Sequence, residues 1–173
     1  MELTGADWVW LVSYVSHVLS GALWTGNVCY VAAFVVPTAQ RGGLSRAAFE
    51  HTVDGVLQIT RLTGVVLPIT GGYQLWRLYA VETLLSTPRG WLVLVMGIAW
   101  GLTNGLVELG VLAVSREIGE VSLATYFLER FEMESDGSNP AALADTLRPY
   151  ALAAAVCSVV LLVDAGLLAA GVV

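Results

Sequence analysis

The chain has 173 residues, 57% of them hydrophobic and 13% charged, with a mean hydropathy of +0.74 and a formal net charge of −6. Soluble domains carry about 25% charged residues, so long apolar runs broken by short polar clusters mark a polytopic membrane protein. Every basic residue is an arginine. This acidic balance excludes nucleic-acid binding, which needs a basic face, and a polybasic contact with anionic headgroups. A lysine-free acidic surface is a halophile-like composition.

The N-terminus, "MELTGAD", is acidic and leads into an apolar run too long for a signal-peptide core, which predicts an uncleaved first span. A transmembrane helix needs about 20 apolar residues. Four segments qualify: 8–36, ending at Pro37; 53–79, preceded by a polar helical turn from Leu44; 91–115; and 150–173. Trp8, Trp10, Trp76, Tyr79, Trp91 and Tyr150 sit at their ends, as interfacial aromatics do. The expected fold is therefore all-α: a single domain, 1–173, forming an antiparallel four-helix transmembrane bundle.

The one large loop, 116–148, carries an apolar stripe at Val121, Ala124, Phe127, Leu128 and Phe131, which predicts an amphipathic helix at the membrane interface. Arg41, Arg46, Arg116, Arg130 and Arg148 fall on the side of that loop, while Arg77 and Arg89 fall on the other. The positive-inside rule then puts the loop in the cytoplasm and both termini outside, in a multi-pass protein of the plasma membrane.

The first span contains "SYVSHVLSGALWTGN". At 100° per residue, Ser13, Tyr14, Ser20, Gly21, Trp24 and Asn27 fall on the side of His17, and Val12, Val15, Leu19, Ala22 and Gly26 fall opposite. His17 should face the bundle interior. In the third span, Gly97, Gly101 and Gly105 form a small-xxx-small stripe suited to close helix approach. Beside it run Met96, Trp100, Asn104 and Glu108. An intramembrane glutamate needs a partner, and depth at about 1.5 Å per residue matches it with Arg61. Two polar layers follow: His17, Thr70, Gln74, Met96 and Asp164 in the outer half, and Asn27, Arg61, Asn104 and Glu108 in the inner half. Pro68 should kink the second span and free a carbonyl. Cys29 and Cys157 lie at similar depth, and the absence of C-x-x-C excludes dithiol redox chemistry. His51 lies roughly 20 Å or more from His17, so the two cannot be axial ligands of one haem within one chain.

His17 followed by "ALWTGNVCY" resembles the H-x6-W-x-G opening of small four-helix membrane proteins, the copper-resistance D type and the related HemJ-type membrane protoporphyrinogen oxidases. "ITRLTGVVLPITGGYQLW", with Arg61 and Thr70–Gly71, is similar to their second helix, and Asn104 stands where the copper-resistance type often ends its third. The resemblance covers the four-helix layout and short motifs. It implies b-type haem on His17. By depth, the other face of such a haem would meet Met96, water, nothing or a histidine of a second copy, and Trp24 and Asp164 complete the candidate cofactor site. One departure is that "GWLVLVMG" lacks the early third-helix lysine of the HemJ enzymes. The methionines are scattered, unlike a copper(I) cluster.

Three functions stay open on the residues alone. The first is haem-linked redox chemistry at His17, the metal ligand. The second is a transporter or accessory subunit using the Arg61–Glu108 layer with no cofactor. The third is a docking subunit contacting its partner through the acidic loop. His17 could equally be a buried histidine bonded to Asp164 or a serine, or a proton relay, and Arg61–Glu108 a structural ion pair. Beyond the lipid bilayer, the expected partners are a second copy of the chain or another membrane subunit. No nucleophile–base set or phosphate loop is present.

Overall fold

The computed structural model describes residues 4–118, Tyr126 and residues 139–171. Among them every element is helical: α1 (Gly5–Tyr30), a π turn (Val31–Val35), α2 (Val36–Gln40), α3 (Arg46–Leu78), α4 (Val81–Ser86), α5 (Pro88–Ile118) and α6 (Pro140–Ala170). Gly5–Gln40, Pro88–Ile118 and Pro140–Ala170 are long and apolar enough to cross a membrane. α3 is not among these three. Asp54, Gln58, Arg61 and threonines 52, 60, 63 and 70 dilute its apolar run.

Local signals set the helix ends. Thr4 and Asp7 form a reciprocal capping box at the start of α1. Ser45 caps α3, and Asn139 with Pro140 at the first position starts α6. Pro37 does not end the first helix as expected; the chain stays helical to Gln40. A proline ring clashes with the carbonyl four residues back, and the widened π turn just before Pro37 relieves that clash. The helix stops instead at Gly42, whose φ of 72° a side chain would disfavour. There Gly43 and Gly42 donate to the Thr38 and Ala39 carbonyls, a Schellman closure.

Other boundaries also differ from the sequence reading. α4 occupies the expected turn between the second and third spans, and α6 begins ten residues before Tyr150. α3 is continuous through Pro68. The amphipathic stripe Val121–Phe131 lies outside the described residues, as does the proposed docking contact on that loop.

The helices pack antiparallel, as their cross-contacts show. Ser13 and His17 meet Thr70 while Trp24 meets Thr60, so α1 and α3 run in opposite directions. Gly64 faces Asn104 and Arg61 faces Glu108 across α3 and α5. Gly110 lies against Leu147 and Tyr150, a close approach of α5 and α6. One end of the packed helices gathers aromatic rings, with Trp10 beside Tyr14 and Tyr73, and Tyr73 beside Trp76. The other, loop end carries a Gln40–Asp145 hydrogen bond of 2.6 Å and a Thr146–Glu117 hydrogen bond.

Exposed Val12, Val15 and Leu19 line the back of α1, and Ser13, His17, Ser20, Trp24 and Asn27 turn inward. Tyr14, expected on the inner side, is exposed and stacks on Trp10. The glycine stripe also departs from expectation. A Cβ at Gly97, Gly101 or Gly105 would meet nothing within 4 Å. Close approach instead uses Gly110, one helical face away. Four threonines (Thr25, Thr63, Thr70 and Thr103) donate to the carbonyl four residues back, which hides their hydroxyls inside apolar helices.

Candidate functional site

α1 and α3 position His17. Its Nδ1 lies 2.8 Å from Thr70 Oγ1. Thr70 Oγ1 is also 2.7 Å from the Val66 carbonyl and 3.3 Å from the Leu67 carbonyl. In the tautomer in which Thr70 gives its one proton to Val66, it accepts from Nδ1–H and Nε2 keeps its lone pair. The ring packs closely on Gly71, where an added Cβ would lie 3.0 Å from Cε1. The partner of His17 is thus Thr70. It is neither a serine nor Asp164, whose carboxylate oxygens have no hydrogen bond among the described residues. Thr70→Val keeps the volume and removes the acceptor. It should release the ring from its single tautomer, read as a changed 15N imidazole shift; an unchanged shift would mean that Thr70 does not hold His17.

The helix registers bring the remaining outer residues to the same level. From the Gly64–Asn104 contact, two turns towards the aromatic end reach Gly71 on α3 and Gly97 on α5. From the Gly110–Tyr150 contact, about four turns the same way reach Met96 and Asp164. Met96 is half-buried and packs on the core. Trp24, two turns further in, is 1% exposed and donates its indole N–H to Thr60 Oγ1 at 3.3 Å, so it ties α1 to α3. His51 is exposed near the start of α3, about 28 Å along that helix from Thr70. Cys29 and Cys157 are free thiols.

The loop end holds a second cluster. Arg61 Nε lies 3.6 Å from Glu108 Oε1, with the side chains 25% and 18% exposed. Tyr126, from the segment joining α5 and α6, donates its hydroxyl to Glu108 Oε2 at 2.6 Å. Arg61 Nη2 donates to the Tyr126 carbonyl at 2.8 Å, and its guanidinium lies 5.2 Å from the Tyr126 ring centre. Burial, and then the Glu108 hydrogen bond, hold the Tyr126 phenol above its ordinary range, so it stays a donor. Sequence reasoning paired Arg61 with Glu108 and missed Tyr126. The available signal was chemical: it is the one tyrosine of the 116–148 loop.

Between the two clusters lie buried polar atoms with no hydrogen-bond partner among the described residues: Asn27 Nδ2, Trp100 Nε1, Asn104 Oδ1 and Ser158 Oγ. A separate cavity of about 30 Å³ lies beside the π turn, lined by Val31, Val35, Val56, Val107, Tyr150 and Ala154, and His17 is not part of it. Among the described residues no three His, Cys, Asp or Glu side chains group as a metal cluster. Comparison with protein-family models, with curated proteins and with solved structures finds no match. The site therefore rests on its own geometry.

Proposed function

We propose that the chain is a multi-pass protein of the plasma membrane, four spans with both termini outside, that binds b-type haem through His17 for redox or haem-related chemistry. The single observation that carries this reading is the His17–Thr70 pair. A ligating histidine characteristically gives its other ring N–H to an oxygen, which fixes the tautomer and the ring plane. With the Thr70 proton on the Val66 carbonyl, Nδ1–H goes to Thr70 and Nε2 is left with its lone pair. Nε2 of His17 would hold the haem iron, and Met96 at the same level would be a soft second ligand. Bound haem would supply one-electron chemistry at its iron. The chain's own part is to orient Nε2 through Thr70 and to let the ring approach closely at Gly71. The layout of apolar helices and the resemblance to the copper-resistance D and HemJ types support the same reading.

The test is the visible spectrum of the detergent-purified protein, oxidised and then reduced, beside His17→Ala. A Soret band that is lost in the variant is the expected result. A colourless protein after expression with added haem would remove the reading. A second reading, a transporter or accessory subunit without a cofactor, is favoured by the Arg61–Glu108–Tyr126 cluster and the partnerless polar atoms above it. It requires a colourless protein whose transport or partner activity depends on Glu108.

A further inference from the structure

Asp164 is the polar side chain whose surroundings the haem reading leaves unexplained. It is 4% exposed, and both carboxylate oxygens are buried without a hydrogen-bond partner among the described residues. Among the described residues no cation is at hand to neutralise it. Arg61 is held in the Glu108–Tyr126 cluster at the loop end, and α5 carries no titratable side chain between Arg89 and Glu108. Among the described residues of the elements packed against α6, only α1 brings a titratable group to this level: His17, whose Nδ1 lies against Thr70. Within α6, the nearest titratable side chain is Cys157, about two turns away. A lone buried carboxylate is so costly that such a group takes up a proton instead.

The partnerless atoms continue inward from Asp164. Trp100, Asn104 and Glu108 recur every four residues, so they share one face of α5. Met96, the preceding position of that series, is level with Asp164. Ser158 and Asn27 add a buried hydroxyl and amide from α6 and α1. Buried polar groups without protein partners are characteristically met by ordered water. We propose that Asp164 is a proton-binding site, a neutral carboxylic acid at one end of a hydrated file of polar side chains that leads to Glu108. Loss of its proton to water in the file leaves the carboxylate and a hydronium ion; uptake is the reverse. The proposal needs no haem and stands apart from that reading.

The experiment uses the full chain in liposomes, treated with dicyclohexylcarbodiimide. This apolar reagent adds to a protonated carboxyl: the acid proton goes to one nitrogen, the carboxylate oxygen bonds the central carbon, and the acyl group then migrates to nitrogen with nothing released. Peptide mapping of the wild type should place the adduct on Asp164. It should be lost in Asp164→Asn, kept in Asp164→Glu and in Glu108→Gln, and diminished as the medium is made alkaline. Labelling in the wild type and in Asp164→Glu keeps the test valid if the asparagine variant misfolds. The infrared carboxylic C=O band should also shift in D2O, and more slowly in Asn104→Leu. An Asp164 without adduct at every pH, or an adduct on Glu108 alone, would overturn the proposal. So would protection by sodium at constant pH, which would make the site a cation site. A band that does not shift in D2O would remove the hydrated file.

Discussion

Gly110→Ala is expected to be less stable than Gly101→Ala by about 1–3 kcal/mol, the usual cost of forcing a methyl group into a packed helix contact. Both changes gain the same helix propensity, about 1 kcal/mol, so their difference isolates packing. At Gly110 the new Cβ would lie 2.8 Å from Tyr150 Cβ and 3.0 Å from Leu147 Cδ1. Tyr150 Cβ is fixed to the α6 backbone, and the conflict can be relieved only by moving the helices apart. At Gly101 the Cβ would meet nothing within 4 Å. Thermal unfolding in one detergent should separate the two variants by several degrees, at roughly 2–4 °C per kcal/mol for a chain of this size. Equal melting temperatures would mean that α5 and α6 do not meet at Gly110.

Glu108→Ala is expected to cost about 2–3 kcal/mol. Breaking a fully buried pair costs about 3–5 kcal/mol because it strands the remaining charge. The partial exposure of Arg61 and Glu108 lowers that figure. The variant also removes the acceptor of the Tyr126 hydroxyl. Arg61→Met combined with Glu108→Leu should recover most of the loss, since replacing both charges by apolar groups of similar size leaves none stranded. The single variants Arg61→Met and Glu108→Leu form a cycle with that double variant, in which the double should lose less stability than the two singles summed, by more than about 0.5 kcal/mol, on the order given for coupled sites. Additive losses would show that Arg61 and Glu108 act independently.

Much of the helical layout was legible because the solvent for these helices is apolar on one side and protein on the other. The inward stripe of α1, from Ser13 through His17 to Asn27, and its apolar back could be read from angular spacing alone. The level of His17 with Thr70, and of Arg61 with Glu108, followed from counting residues at a fixed rise. Tyr14 broke the pattern because a ring at a helix end can stack on a neighbour such as Trp10 instead of turning inward. Pro37 misled because a π turn, which composition does not announce, precedes it and lets the helix run on to Gln40. The glycines of α5 misled in the same way. A stripe at Gly97, Gly101 and Gly105 permits close packing, but which face a neighbour takes depends on every other contact in the bundle.

By itself the sequence determined an acidic, lysine-free, helical chain whose apolar runs demand a lipid environment and whose interior carries His17, Arg61, Glu108 and Asp164. Those properties are additive over residues and need no knowledge of neighbours. Partner choice is not additive, and only the tertiary structure decided it. His17 bonds Thr70 and leaves Asp164 alone, Tyr126 closes on Glu108 and Arg61, and Gly110 rather than Gly101 meets α6. Each of these outcomes depends on side-chain direction and helix rotation to within a few ångströms, and residue spacing along one chain carries neither.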